Sequence, residues 1–204
     1  MANMLSSQNN QHKPLILLVS GHPEGGPGDW MAAWERQRPD SARLDLGMWD
    51  KPHRNTWVNK LNLAIHRAER PVILVADDIA CLAVAWWAEY EQSDSANAVI
   101  GALLVSPPDV DRPGADPRLA PFGACPRQKL PFPSFVVADR EASQPKLVTT
   151  TQLASDWDSL FSLDEIDARW DAGQYLLGRL LREHQPAVRL PVPAAERERE
   201  MVAA

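Results

Sequence analysis

Four segments of the chain are continuously apolar and do not alternate between apolar and polar residues. Such runs are typical of strands that are buried on both faces, as in a parallel sheet. Two weaker segments of similar length extend the same pattern. The strong segments are residues 14–20, 72–76, 98–105 and 134–138, and the weak ones are residues 41–46 and 159–163.

Between these strands, apolar residues recur every three or four positions, which predicts helices with one buried face. Asp29 is a candidate N-cap of the first helix, and Pro71 follows the second. Because strands alternate with helices, the pattern predicts an α/β domain with a mostly parallel sheet of about five or six strands. The predicted helices are residues 29–38, 55–69, 79–90, 145–157 and 168–184.

The composition fits one globular domain. The chain has 204 residues, of which 45% are hydrophobic and 24% charged, and this length can bury a sizeable core without a disulfide or a metal. We expect a flexible N-terminal lead at residues 1–13, the α/β domain at residues 14–184 and a polar, mobile tail at residues 185–204. Eight of the 18 prolines fall between Pro107 and Pro133, which predicts a long loop there.

Charge and cysteine count exclude several classes of protein. A formal net charge of −6 argues against nucleic-acid binding, and no apolar run is long enough to cross a bilayer, so no membrane partner is expected. Cys81 and Cys125 are too few for a disulfide framework or a cysteine-rich zinc site, and they fit a reducing, cytoplasmic location. We find no metal-ligand spacing and no phosphate-loop motif, so the sequence predicts no metal and no cofactor. The oligomeric state stays open.

The end of the second strong strand carries the most specific motif. The segment Ala76-Asp77-Asp78-Ile79-Ala80 joins that strand directly to a helix. Small residues two before and two after the apex are typical of a nucleophile elbow, because strand and helix approach closely there. The apex of this predicted elbow is Asp78, where a serine is usual.

Short landmarks follow one another from about residue 15 to residue 181: SGH at 20–22, GPGDW at 26–30, WDKP at 49–52, VADDIACLAVAWW at 75–87, GALLVSPP at 101–108, LPFPS at 130–134 and WDAG at 170–173. In order and spacing they resemble the small retinoblastoma-binding-protein-type (YdeN-like) serine hydrolases, a compact branch of the α/β-hydrolase superfamily. The resemblance implies a single-domain three-layer sandwich around a mostly parallel central sheet.

The chain departs from this family at its three catalytic positions. The resemblance aligns Asp78 with the nucleophilic serine and Ala142 with the triad aspartate. The loop at residues 163–169, where the family has its triad histidine, has none, and Glu165 is the nearest position to the missing base. Serine attack requires an adjacent base oriented by an acid, so these departures predict a pseudo-hydrolase. Such a protein would bind an unidentified small molecule or protein at the former active-site face, with Gly21, His22, Asp77, Asp78 and Ile79 as candidate binding residues.

Other interpretations remain open. Some members of the superfamily use an aspartate nucleophile, as haloalkane dehalogenases and epoxide hydrolases do, and Asp78 with the Ile79 N–H fits that role. His22 is the one histidine expected near the mouth of that site. Alternatively, Asp77 and Asp78 cap the following helix, or together hold a cation or an amine. A third hypothesis is a structural or regulatory subunit that acts through its proline-rich loop or its charged tail.

Overall fold

Six parallel strands form one sheet in the order β2-β1-β3-β4-β5-β6. The computed structural model describes residues 13–23, 29–90, 98–108, 110–111 and 115–184. The expected C-terminal tail and all but the last residue of the expected N-terminal lead lie outside the described residues. The strands are β1 (Leu15–Val19), β2 (Ser41–Leu44), β3 (Val72–Asp77), β4 (Val99–Val105), β5 (Ser134–Asp139) and β6 (Leu160–Asp164).

Within the described residues, five α-helices cover the two faces of the sheet. Alternate side chains of the central strands point to opposite faces, so each face has its own hydrophobic core. The second, third and fourth helices pack on one face, and the first and fifth pack on the other. The helices are α1 (Trp30–Gln37), α2 (Arg54–Arg67), α3 (Ala80–Tyr90), α4 (Gln144–Asp156) and α5 (Asp171–Glu183).

The predicted α/β architecture is confirmed, including both weak strands. The side chain of Asp29 accepts a hydrogen bond from the Ala32 N–H at 3.0 Å, so the predicted N-cap of α1 is also confirmed. No helix within the described ranges is long and apolar enough to span a membrane.

Three details differ from the sequence prediction. The last helix begins at Asp171 and not at residue 168, because Trp170 has a left-handed backbone with φ 41°. Helical spacing predicts Tyr175 on the same side of this helix as Leu176 and Leu180, but 64% of Tyr175 is exposed, and Leu177 takes the core position. The proline-rich loop contains a short 3-10 helix, Pro117–Phe122, which Asp116 caps.

Three tryptophans lock the last helix to the first. Trp170 lies flat against Trp34, with ring centroids 5.4 Å apart, and meets Trp30 edge-on at 4.8 Å. The Trp170 ring covers Gly173 in the first turn of α5, where a Cβ atom would overlap the ring. Trp170 is fully buried, so its ring has no room to move aside.

We therefore predict that Gly173→Ala destabilises the protein by about 1–3 kcal/mol, the usual cost of overpacking a core. The matched control is Gly178→Ala in the same helix, where the new methyl would meet only the end of the flexible Arg182 side chain at 3.4 Å. This control should be neutral or stabilising by up to about 1 kcal/mol, since alanine is the better helix former. Urea unfolding of both variants measures the difference, and equal stabilities would contradict the packing argument.

Candidate functional site

The candidate site lies where β1, β3 and β4 end. The carboxyl ends of parallel strands share one edge of the sheet, which is where α/β proteins bind ligands. Gly21 and His22 follow β1, Asp77 is the last residue of β3, and Asp78 and Ile79 form the turn into α3. The structure thus brings together the five residues that the sequence singled out as candidate binding residues.

Asp78 occupies the apex of a strained turn. Its φ is 50°, a left-handed conformation that aspartate tolerates better than most residues. Its N–H donates to the Val105 carbonyl at 2.9 Å, and its own carbonyl accepts from the Cys81 N–H at 3.0 Å. The Cys81 thiol, which is fully buried, donates to the carbonyls of Ala76 and Val105 at 3.4 Å. These bonds hold the strained apex in place, and Cys81 is a core residue.

Gly21 allows the loop after β1 to touch this turn. A Cβ atom at Gly21 would lie 2.6 Å from both the Asp77 carbonyl oxygen and the Ile79 nitrogen. Because both are backbone atoms, neither can move aside without disturbing the elbow. The absence of a side chain at this position therefore permits the contact between loop and elbow.

The contact brings His22 to Asp77. The distance from Nε2 of His22 to Oδ2 of Asp77 is 2.9 Å. The hydrogen bond to Asp77 raises the pKa of His22 to about 9, although partial burial opposes the rise. At neutral pH the ring is therefore an imidazolium whose Nε2–H points at a carboxylate, and in this state it cannot accept a proton from water.

Ser20 completes a second hydrogen-bonded set with the same histidine. Its Oγ lies 3.3 Å from Nδ1 of His22, donates to the His22 carbonyl at 2.8 Å and accepts from the His22 N–H at 3.3 Å. Serine, histidine and aspartate are thus in contact, but the hydroxyl is buried and its proton is committed to a carbonyl. This arrangement stabilises the loop after β1 and does not activate Ser20 as a nucleophile.

The carboxyl group of Asp78 is destabilised in its charged form. Burial, followed by the nearby charge of Asp77, raises the pKa of Asp78. Lys146 and His22 act in the opposite direction through their positive charges, and the nearby Ile79 N–H also favours the charged form.

The two other positions that the resemblance aligns with the triad lie elsewhere along the same edge of the sheet. Ala142 lies in the turn after β5, where its N–H donates to the Asp139 carbonyl at 3.0 Å, and its methyl group has no acid or base function. Glu165 is exposed and follows β6, the outermost strand on that side and the third from β3. Within the described residues, no group of three or more histidine, cysteine or acidic side chains is arranged to hold a metal ion.

Sequence reasoning named His22 and Asp77 separately but missed that they form a pair, and it missed Ser20 and Lys146 as neighbours. Because β1 and β3 are adjacent, residues just beyond the ends of both strands lie close together. This adjacency is the signal from which the pairing of His22 with Asp77 could have been predicted. Lys146 lies in the first turn of α4, and nothing in its local sequence indicates that its charge reaches Asp78.

A parallel sheet covered by helices on both faces, with a left-handed residue at the strand–helix turn of β3, defines an α/β-hydrolase architecture. Comparison with protein families gives the narrower assignment. The model of the serine hydrolase family matches residues 16–168, three quarters of the chain. The chain belongs to the serine hydrolase family. No curated protein matches it significantly.

Solved structures agree on the fold. A YdeN-like hydrolase from Pectobacterium atrosepticum superimposes with a TM-score of 0.71 at 21% identity, covering 91% of this chain and 100% of that one. The ydeN gene product of Bacillus subtilis gives 0.64 at 14% identity, covering 83% and 100%. A thermophilic esterase from Thermogutta terrifontis gives 0.60 at 10% identity, covering 88% and 85%. At these identities the likeness shows a shared fold alone and carries no information about activity.

We predict that His22 titrates near pH 9 and that Asp77→Asn returns its pKa towards 6.5. Between these two values the folded protein binds a proton that the unfolded chain releases. The stabilisation from this ion pair is therefore complete below about pH 6.5 and is lost as pH rises through about 9. NMR titration of the imidazole, assigned with His22→Gln, measures the value. A midpoint near 6.5 in the unmodified protein would contradict the pairing.

Replacement by asparagine should change the Tm in opposite directions at Asp77 and at Asp78. Since the pKa of Asp78 is raised on folding, its ionised form costs stability at neutral pH, and Asp78→Asn should raise the Tm there. The gain should shrink as pH falls through the raised pKa of Asp78 and should vanish well below pH 3.8, where the carboxyl group is protonated in both states. Asp77→Asn breaks the ion pair with His22 and should lower the Tm at pH 7. Thermal unfolding at several pH values tests both, and equal shifts for the two variants would refute the assignment.

Proposed function

We propose that this protein is a member of the serine hydrolase family that lacks the family's acyl-transfer chemistry. It acts by binding a small molecule or a protein at the face formed by Gly21, His22, Asp77, Asp78 and Ile79. The observation that carries the proposal is the elbow itself, where an aspartate occupies the left-handed apex and the neighbouring histidine is paired with Asp77 at 2.9 Å. This arrangement is unfavourable for two requirements of acyl transfer, a nucleophile with a working base and an oxyanion hole.

The first requirement is a nucleophile with a working base. Serine attack needs a neighbouring group that takes up the hydroxyl proton. The apex residue is Asp78, and the histidine closest to it along this edge is already protonated and paired with Asp77 at neutral pH. Its other ring nitrogen faces Ser20 Oγ at 3.3 Å and the Pro23 carbonyl at 3.4 Å. His22 is therefore a structural cation and not a general base.

The second requirement is an oxyanion hole. In α/β-hydrolases it is built from the N–H after the nucleophile and an N–H from a loop that follows a neighbouring strand. The corresponding donors here are the N–H groups of Ile79 and His22. The negative charge of the Asp78 carboxylate lies close to the first, and Ser20 Oγ accepts a hydrogen bond from the second. A substrate oxyanion would have to displace Ser20 Oγ and would meet the negative charge of Asp78.

The same features suit binding. The carboxylates of Asp77 and Asp78 are offset by the His22 imidazolium and by the positive charge of Lys146, which reaches Asp78. A ligand that presents hydrogen-bond donors to these carboxylates fits this face better than the carboxylate product of ester hydrolysis. We also infer a cytoplasmic location, because Cys81 and Cys125 are both buried thiols and not a disulfide.

One observation favours a second candidate function, hydrolysis with Asp78 as nucleophile. The left-handed apex holds this residue where the superfamily holds its nucleophile. A carboxylate oxygen of Asp78 would attack a carbon that carries a halide, expelling halide ion and forming an ester. Water would then cleave the ester, restoring the carboxyl group and releasing an alcohol, with the net proton passing to solvent. This second step needs a base, and His22 serves as one only above about pH 9.

The test is labelling with a fluorophosphonate probe together with turnover of short p-nitrophenyl esters and haloalkanes, at pH 7 and pH 9.5. The proposal expects no labelling and no turnover by the unmodified chain. Asp78→Ser should stay unlabelled as well, because a serine at the apex still lacks a base and an acid. Asp78→Asn is the matched control, since it keeps the shape and the tolerance of a left-handed backbone.

Turnover of the haloalkane or ester that Asp78→Asn abolishes would overturn the proposal and establish the aspartate nucleophile. Turnover that survives in Asp78→Asn would point to another nucleophile and overturn both. Strong labelling of Asp78→Ser would show that a working base exists at the elbow, which would also contradict the proposed role of His22.

A further inference from the structure

The two edges of the sheet differ sharply in how they are covered. At one edge, all four residues of β2 are at least partly buried, and Arg43 forms an ion pair with Asp29 at 3.1 Å. At the other edge, β6 exposes three large apolar side chains. Leu160 is 54% exposed, and Phe161 and Leu163 are each 41% exposed. Within the described residues no strand pairs with the outer side of β6.

β6 also lacks the lysine, proline or bulge that commonly protects an edge strand. Natural edges carry lysine, proline or a bulge, because an open row of N–H and C=O groups pairs with other strands. The sequence of β6 is LFSLD, and its register with β5 is regular throughout. The open peptide groups of such a strand favour pairing with another strand.

The direction of the peptide groups identifies which of them are available. The carbonyl of Asp164 faces β5, because it accepts the Arg140 N–H at 2.8 Å. Peptide groups of successive residues in a strand alternate in direction. The N–H and C=O groups of Phe161 and Leu163 therefore point away from the sheet.

We propose that β6 pairs with β6 of a second copy of this chain, antiparallel and around a two-fold axis at Ser162. In this register Phe161 of each copy lies opposite Leu163 of the other, and the outward peptide groups of these residues form four hydrogen bonds across the axis. The result is one continuous sheet of twelve strands, six from each copy.

Side-chain chemistry favours a second copy as the occupant. On the face that α4 covers, the register produces two Phe161–Leu163 pairs, the aromatic–aliphatic combination that stabilises neighbouring strands. On the opposite face it places Asp164 against Leu160 and holds the two Asp164 carboxylates at opposite ends of the strand pair. The strand is thus complementary to itself in its apolar pairs and sets no like charges opposite one another, as a two-fold interface requires.

The flanking helix enlarges this interface. α4 contacts β6 on the same face as Phe161 and Leu163, and its Val148 is 66% exposed. A two-fold axis at Ser162 carries both copies of α4 to one face of the joined sheet. The strand pair is still small, so we expect an association in the micromolar range.

A disulfide test addresses the register directly. Ser162 peptide groups face β5, so Ser162 forms a non-hydrogen-bonded pair with its copy, with Cα atoms roughly 4.5 Å apart. Ser162→Cys should therefore form an intermolecular disulfide under mild oxidation, since that separation falls within disulfide geometry. Leu160→Cys is the matched control on the same face, because its two copies would lie roughly 14 Å apart and should not bridge.

Sedimentation velocity of the full chain, from about 1 µM to about 200 µM, measures the association without any substitution. A monomer–dimer equilibrium is expected, and Phe161→Lys should abolish it because two charges would be buried in the pair. Leu63→Lys on α2, at a site of similar exposure, should leave the equilibrium unchanged. Circular dichroism confirms that both variants remain folded.

Hydrogen exchange distinguishes the other possible occupants. The amides of Phe161 and Leu163 should become protected as protein concentration rises. Protection of these amides in a sample that is fully monomeric would mean that another segment of the same chain covers the edge, and it would overturn the proposal. A monomer at every concentration with unprotected amides, or a Leu160→Cys disulfide as efficient as that of Ser162→Cys, would overturn it too.

Discussion

The candidate site depends on one close contact between backbones, that of Gly21 against the elbow. Any Cβ at this position would lie 2.6 Å from the Asp77 carbonyl oxygen and from the Ile79 nitrogen. Because the loop after β1 lies so close to the elbow, Nε2 of His22 contacts Asp77, and Ser20 Oγ contacts the other ring nitrogen of His22. The ion pair follows from this packing, and the protonated state of the histidine follows from the ion pair.

The elbow keeps the backbone of a catalytic site while its side chains are engaged with one another. Asp78 retains the left-handed apex, a conformation that costs free energy and that the bonds to Val105 and Cys81 maintain. Burial of the Asp78 carboxylate adds a second cost at neutral pH. A protein selected for stability alone would relieve both costs with an uncharged residue or a glycine at this position. Their persistence supports a role for the carboxylate that is separate from folding, which is what a binding site requires.

The contrast between the two sheet edges is independent of the site. β2 is protected by the packing of α1 and by the ion pair of Arg43 with Asp29, whereas β6 exposes Phe161 and Leu163. Pairing at this edge would leave the carboxyl ends of β3 and β1 untouched, which lie three and four strands away. A dimer formed through β6 would thus present two copies of the elbow to its partners.

The sequence by itself determined the order and type of the secondary structure and the position of the elbow. Continuous apolar runs in β1, β3, β4 and β5 specify strands buried on both faces, and small residues around Asp78 specify a close strand–helix turn. These properties are local, so they can be recognised from the sequence alone. Even the weak β2 and β6 followed from their position between helices.

Only the tertiary structure decided which side chains meet. The partnership of His22 with Asp77 joins residues 55 positions apart, and the charge of Lys146 reaches Asp78 from the beginning of α4. The start of the last helix also depended on distant residues, because Trp170 leaves the helical conformation to lie against Trp30 and Trp34. Pairings of this kind depend on strand order and on close packing between separate elements, and local sequence pattern records neither of them.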